Sequence, residues 1–156
     1  MHKLETTSVS VDSSVVVDFH LTGNLPFFEN AFAGRMLMSD FVEDELGESQ
    51  IRVLGAEIIP LTKDEEWNFF AQLRKRKRGL GAGELGAITV AKFDNASLLT
   101  NDRQARQTAD EVGIGQVVCV LDVLVSMWSS EEKLSNKLGH QTTCTPSRAS
   151  QWNKCL

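Results

Sequence analysis

Two aspartates in this chain each stand just beyond a short apolar run: Asp18 after Val15-Val16-Val17, and Asp102 after Leu98–Thr100. Runs like these are what fully buried strands look like. In an open parallel sheet, ligands bind outside the carboxyl ends of the strands. Two more acids are placed to join them: Glu45, one position before Leu46 on an acidic helix, and Glu84, in the first turn of a helix opened by Gly81-Ala82-Gly83. Four carboxylates within about 5 Å of one another would repel by roughly 3 kcal/mol per ionised pair at an effective dielectric near 20. Either some carry protons at a raised pKa, or a divalent cation sits among them. An all-oxygen donor set without His or Cys favours Mg²⁺ or Mn²⁺ over zinc. Such a site activates water and stabilises in-line displacement at phosphorus.

Each acid also has a structural use. Asn101 and Gln104 make the pattern of a capping box, so Asn101 and Asp102 could do no more than start a helix. Glu84 complements a helix N-terminus, and Glu45 belongs to a dense acidic face that solvent would cover. Asp18 is harder to explain that way, because an acid that ends a buried strand needs a partner or a purpose. The basic run Arg74-Lys75-Arg76-Lys77-Arg78 lies just before Glu84. It either holds RNA phosphates beside the acids or forms the solvated end of a helix, which the dipole favours. His20, two residues after Asp18, is either a proton-transfer group or a packed histidine. Phe27, Phe28, Phe32, Phe69 and Phe70 read as core; an exposed one would stack a base.

The elements that must position these residues alternate. Residues 1–14 read as a polar lead-in, followed by the strand ending at Asp18. Pro26 and Gly34 bracket a short helix carrying Phe27, Phe28, Ala31 and Phe32. After the apolar run Met36–Met38, Asp40–Leu46 fits a helix with Val42 and Leu46 inward. Val53–Leu61 fits an edge strand ended by Pro60. Asp64–Arg78 is a helix with acids at its start, bases at its end, and Trp67, Phe70 and Leu73 inward. A helix from Gly83 to Phe93, a strand Ala96–Leu99, a helix Arg103–Val112 stopped by Gly113 and a strand Gln116–Leu121 follow. Ser129–Leu138 fits a last helix, and residues 141–156 a polar tail. The alternation predicts an α/β domain over 15–140 with a mostly parallel sheet.

The chain has 156 residues, 42% apolar and 24% charged, with 16 Lys+Arg against 21 Asp+Glu. That bounds the expectation to one soluble domain of ordinary size, able to form a core without staples. The longest apolar runs fall far short of the roughly 18 residues a spanning helix needs, and Met1–Ser14 offers no signal-peptide core. A cytoplasmic protein without membrane association is expected. Three cysteines, Cys119, Cys144 and Cys155, without CxxC spacing fit neither a disulfide framework nor a zinc site. Setting aside the four candidate acids leaves 17 acids against 16 bases. Most of the net charge of −5 is then the proposed metal site itself.

Taken in order, Val15-Val16-Val17-Asp18, Val42-Glu43-Asp44-Glu45-Leu46, Gly83-Glu84-Leu85-Gly86-Ala87-Ile88-Thr89-Val90-Ala91 and Leu98–Ala109 resemble the successive blocks of the PIN-domain family over about residues 15–125. The last two blocks, similar to G-E-x-x-A-I-x-x-A and T-[DN]-D-x-x-A-R-x-x-A, are the most specific together. The resemblance implies an α/β three-layer fold whose acidic pocket binds Mg²⁺ or Mn²⁺ and cleaves RNA. It makes Asp18, Glu45, Glu84 and Asp102 the catalytic acids, with Asp18, Glu84 and Asp102 on the metal, and gives Arg106 a structural role. Many bacterial members are toxins of toxin–antitoxin modules, which implies an antitoxin protein and a homodimer as partners. Two departures stand out: Phe19 and His20 follow Asp18 where relatives carry a small polar residue, and Asn101 replaces an acid. The first of these, with the polar tail beyond residue 140 that matches nothing in the family, supports the rival expectation of a catalytically inactive RNA- or protein-binding module. A receiver-like domain would want paired early acids and a late Lys, and neither is present.

Overall fold

The computed structural model describes residues 7–47 and 54–125. Five short strands, β1 (Val9–Val11), β2 (Met36–Ser39), β3 (Glu57–Ile59), β4 (Ser97–Leu99) and β5 (Val117–Val118), form one sheet in the order β3-β2-β1-β4-β5, every neighbouring pair parallel. The chain steps outward from β1 to β3, then crosses to the other side of β1 for β4 and β5. The strand order therefore reverses between β1 and β4, and a crevice opens at their carboxyl ends. Helices α1 (Ser13–Leu21), α2 (Leu25–Phe32), α3 (Asp40–Leu46), α4 (Asp64–Arg76), α5 (Ala82–Phe93) and α6 (Arg103–Glu111) connect the strands. These elements fall within a compact unit that ends at Val123. No helix among the described residues is long and apolar enough to cross a membrane.

The α/β expectation holds, with one consequential correction at its start. The first strand is Val9–Val11, inside the segment read as a polar lead-in, and Val15–Val17 lies within α1. Ser10 hides the strand by breaking its apolar run. Buried in the middle of β1, its hydroxyl donates to the Ala87 carbonyl of α5 at 2.8 Å, so its polarity is satisfied. As a helix, Val15-Val16-Val17 costs a few tenths of a kcal/mol per β-branched residue. The helix repays that by burying Val15, Val16 and Phe19 on one side, at about 1.5–3 kcal/mol per fully buried side chain. Phe19 stacks on Phe28 of α2, ring centroids 4.6 Å apart.

Downstream, expectation and structure mostly coincide. α3 spans Asp40–Leu46 as read, with Val42 buried. Met36–Met38 belongs to the fully buried strand β2, and β3 is the sheet edge, followed by Pro60. α4 ends two residues earlier than read; Phe70 and Leu73 face inward, but Trp67 remains 45% exposed. The last strand contracts to Val117–Val118, and Cys119 just beyond it is half-buried rather than buried. The helix expected over Ser129–Leu138, the tail 141–156, Cys144 and Cys155 lie outside the described residues.

The central helix is α5, buried from Leu85 to Ala91 against the sheet. Gly86 allows α3 and β2 to approach it: a Cβ there would lie 3.0 Å from the Ser39 Cβ and 3.1 Å from the Phe41 ring. Ser39 in turn caps α3, its hydroxyl accepting from the Val42 N–H. Those contacts fix the helix that carries Glu45 beside the helix that carries Glu84.

Candidate functional site

Beyond the last paired residues of β1 and β4, Val11 and Leu99, the next residues are Asp12 and Thr100. Asp12 is 1% exposed and its N–H donates to the Leu99 carbonyl at 3.1 Å. Its Oδ2 accepts from the hydroxyls of Ser14 at 2.7 Å and Thr100 at 3.0 Å. Burial pushes the Asp12 carboxyl above the usual aspartate range; the two hydroxyls pull it partly back, and the charge of Glu45 adds to the rise. The acid that ends a buried strand is therefore Asp12. The strand-end ground for choosing Asp18 belongs to this residue instead.

Three sequence-selected acids gather around it. On α3, Glu45 places Oε1 3.0 Å from the Gly83 N–H, while Oε2 accepts the hydroxyl hydrogen of Ser13. Gly83 has to be glycine for this contact, since a Cβ there would sit 2.7 Å from the Glu45 carboxyl carbon. Glu84, three residues into α5 from its N-cap, turns back so that Oε2 accepts from the Gly81 N–H. Burial raises the Glu84 carboxyl, as do the charges of Asp12, Asp102 and Glu45, while the Gly81 bond lowers it. Asp102 is itself the N-cap of α6, its Oδ1 accepting from the Ala105 N–H at 2.6 Å. Its own N–H donates to Thr100 Oγ1, the hydroxyl that also holds Asp12. The capping role weighed for Asn101 and Asp102 thus falls to Asp102, with its other oxygen left over.

Asp18 lies on the exposed side of α1. Its Oδ2 accepts from the Asn101 amide at 2.7 Å, and the other end of that amide accepts from the Val120 N–H at 3.1 Å. Asn101 thereby joins α1 to the segment after β5, one residue from Asp102. His20 is exposed on the same helix. Arg106 is half-buried on α6, with its positive charge near Asp122. Of the basic run, Arg74, Lys75, Arg76 and Arg78 are exposed, and Lys77 is paired with Glu111 at 2.7 Å. Three residues of chain keep the Arg78 backbone within about 11 Å of Gly81. The intervening loop passes against α6, where a Cβ on Gly79 would lie 3.2 Å from the Gln104 amide carbon.

The donor chemistry of Asp12, Glu45, Glu84 and Asp102 fits a hard divalent cation: all oxygen and mutually repelling, with Gly83 leaving room for the Glu45 carboxyl. None of the four is ion-paired to a Lys or Arg among the described residues. Each is instead tied to a backbone N–H or a hydroxyl, and no three acids among the described residues converge closely enough to grip one ion as the side chains lie. The sequence reading missed Asp12, Ser13 and Ser14. The signal available was Val9-Ser10-Val11-Asp12, an acid after two β-branched residues, with the small polar residues that seemed absent after Asp18 directly following it.

A family model described as a PIN domain matches residues 8–136, which takes in β1 and Asp12. No curated protein matches the chain.

Proposed function

The chain belongs to the PIN-domain family, and on that footing we propose that it is a Mg²⁺- or Mn²⁺-dependent endoribonuclease whose acids are Asp12, Glu45, Glu84 and Asp102. The observation that carries this reading is that four carboxylates on four elements face the switch point of the sheet, each tied to a hydroxyl or an N–H and none ion-paired to a Lys or Arg among the described residues. The fold is the one on which PIN nucleases are built; substrate, cation and residue roles are the proposal. A bound divalent cation would supply Lewis-acid stabilisation of charge at phosphorus and lower the pKa of water. Asp12, Glu84 and Asp102 would hold it, Asp12 taking the place first given to Asp18. Ser14 and Thr100 orient Asp12, Gly83 and Ser13 orient Glu45, and the Gly81 N–H holds one Glu84 oxygen so that the other is free. Arg74, Lys75, Arg76 and Arg78 steer the phosphate backbone toward that end of the sheet.

Incubating a single-stranded RNA with the protein in Mn²⁺ and in EDTA tests the reading. Internal cleavage that EDTA abolishes is expected; no cleavage in Mg²⁺ or Mn²⁺ would contradict it. The separation of the acids as they lie favours a second reading, an inactive RNA- or protein-binding module, which predicts RNA or protein binding without cleavage. Family membership also supports a toxin role, with an antitoxin protein and a homodimer as partners. Growth arrest on expression, relieved by the product of a neighbouring gene, is the matching test.

A further inference from the structure

Trp67 is a large aromatic side chain that the fold holds yet leaves open. The residue is 45% exposed on α4, and its ring stands nearly perpendicular to those of Phe41 of α3 and Phe70 of α4, with ring centroids 5.9 Å away in each case. Phe41 and Phe70 are themselves stacked at 4.7 Å and 8° between planes. The indole is thereby held against a stacked pair. Phe41 lies four residues before Glu45, so the two share a face of α3. Seven residues after Trp67 comes Arg74, on the same stripe of α4 and about 10.5 Å further along the axis. Arg74 is exposed and makes no ion pair among the described residues. An apolar flat face followed by a cation on one helix stripe is the combination that binds single-stranded nucleic acid, stacking a base and neutralising a phosphate.

We propose that Trp67 is a base-stacking platform for single-stranded RNA, with Arg74 taking a phosphate of the same strand. This rests on the ribonuclease reading above and deepens it by naming where on the chain the bases of the strand are held: paired RNA, whose bases are already stacked, cannot use the indole.

Binding of a labelled single-stranded oligoribonucleotide and of its fully paired duplex, measured in EDTA by fluorescence anisotropy, tests the proposal. Trp67→Met keeps apolar volume and removes the ring. It should weaken single-strand binding roughly 5- to 100-fold while changing duplex binding less than about twofold. Arg74→Gln should reduce the salt dependence of single-strand binding by about 0.7 in slope. Single-strand affinity unchanged in a folded Trp67→Met protein would overturn the platform and leave the RNA reading standing. Wild-type protein that binds neither RNA would overturn both. If Trp67→Met fails to fold, photocrosslinking of a 4-thiouridine strand to the wild-type chain decides: a crosslink at Trp67 supports the platform, and crosslinks only elsewhere reject it.

Discussion

At the carboxyl ends of β1 and β4, Asp12, Glu45, Glu84 and Asp102 act on one another with no basic side chain paired to them among the described residues. Around the start of α4, Glu66 and Glu57 both act on Asp94, but Lys63 acts on it too and pairs with Glu66. Glu66 there accepts from the Lys63 ammonium at 2.9 Å and from the backbone N–H groups of Thr62 and Lys63. Those bonds hold its carboxyl below the usual glutamate range, Lys63 contributing most. Burial and the charge of Glu66 raise the Asp94 carboxyl, and Lys63 pulls it back. In the strand-end cluster the two shifted acids, Asp12 and Glu84, are also raised, first by burial, with hydroxyls or an N–H rather than a basic charge pulling them back. The cluster at the start of α4 is closed by the chain's own charge. The strand-end cluster is anchored by hydroxyls and N–H groups that orient oxygens without neutralising them, which suits a cation from outside.

The largest effect that would sharpen this contrast is expected from Asp12→Asn. It should lower RNA cleavage more than about 100-fold, some 2.7 kcal/mol of transition-state stabilisation, while the metal-free protein melts no lower than wild type. Asp18→Asn should change the cleavage rate by only a few-fold. Cleavage kinetics of the two purified variants check this; equal losses would erase the distinction between Asp12 and Asp18. Next in size is Gly83→Ala. The added methyl displaces the flexible end of Glu45 rather than backbone, so cleavage should fall about 10-fold. The helix gains up to about 1 kcal/mol of propensity, which leaves Tm level or slightly raised.

Stability against pH should separate Asp12 and Glu84 from Glu66. Asp12 and Glu84 have raised pKa values, so the folded state binds their protons more tightly than the unfolded chain does. The metal-free protein gains stability from them as pH falls through the raised values, and that contribution is complete below the ordinary ones. Asp12→Asn should flatten this part of a Tm–pH profile. Glu66, with its pKa lowered, contributes above its ordinary value and loses that contribution as pH falls through the lowered one. Lys63→Met should therefore give the smallest effect: a slight drop in Tm at neutral pH that disappears in acid, with cleavage unaltered.

Most of the scaffold was legible because its helices carry strong local signals. The acids at the start and bases at the end of α4 and the glycine after α6 each mark a boundary. Three of the four clustered acids were selected from local signals: Asp102 for following the apolar run of β4, and Glu45 and Glu84 for their places on two helices. The first strand was not legible. It is three residues long with a serine at its centre, and only the Ala87 carbonyl, 77 positions away, makes that serine a core residue. The neighbouring valine run looked more like a strand than the strand did. It is helical because Phe28 of α2 offers Phe19 a stacking partner, a tertiary contact that local propensity does not contain.

Thermal melting of the wild-type, Asp12→Asn and Asp18→Asn proteins across a Mn²⁺ titration is the most direct test of the claim that Asp12 anchors a cation site at the switch point. Wild type and Asp18→Asn should both gain about 2.7 kcal/mol at 100 times Kd, roughly 10 °C in a domain of this size, and Asp12→Asn little or nothing. An equal Mn²⁺ response in Asp12→Asn, or a response lost only in Asp18→Asn, would contradict it.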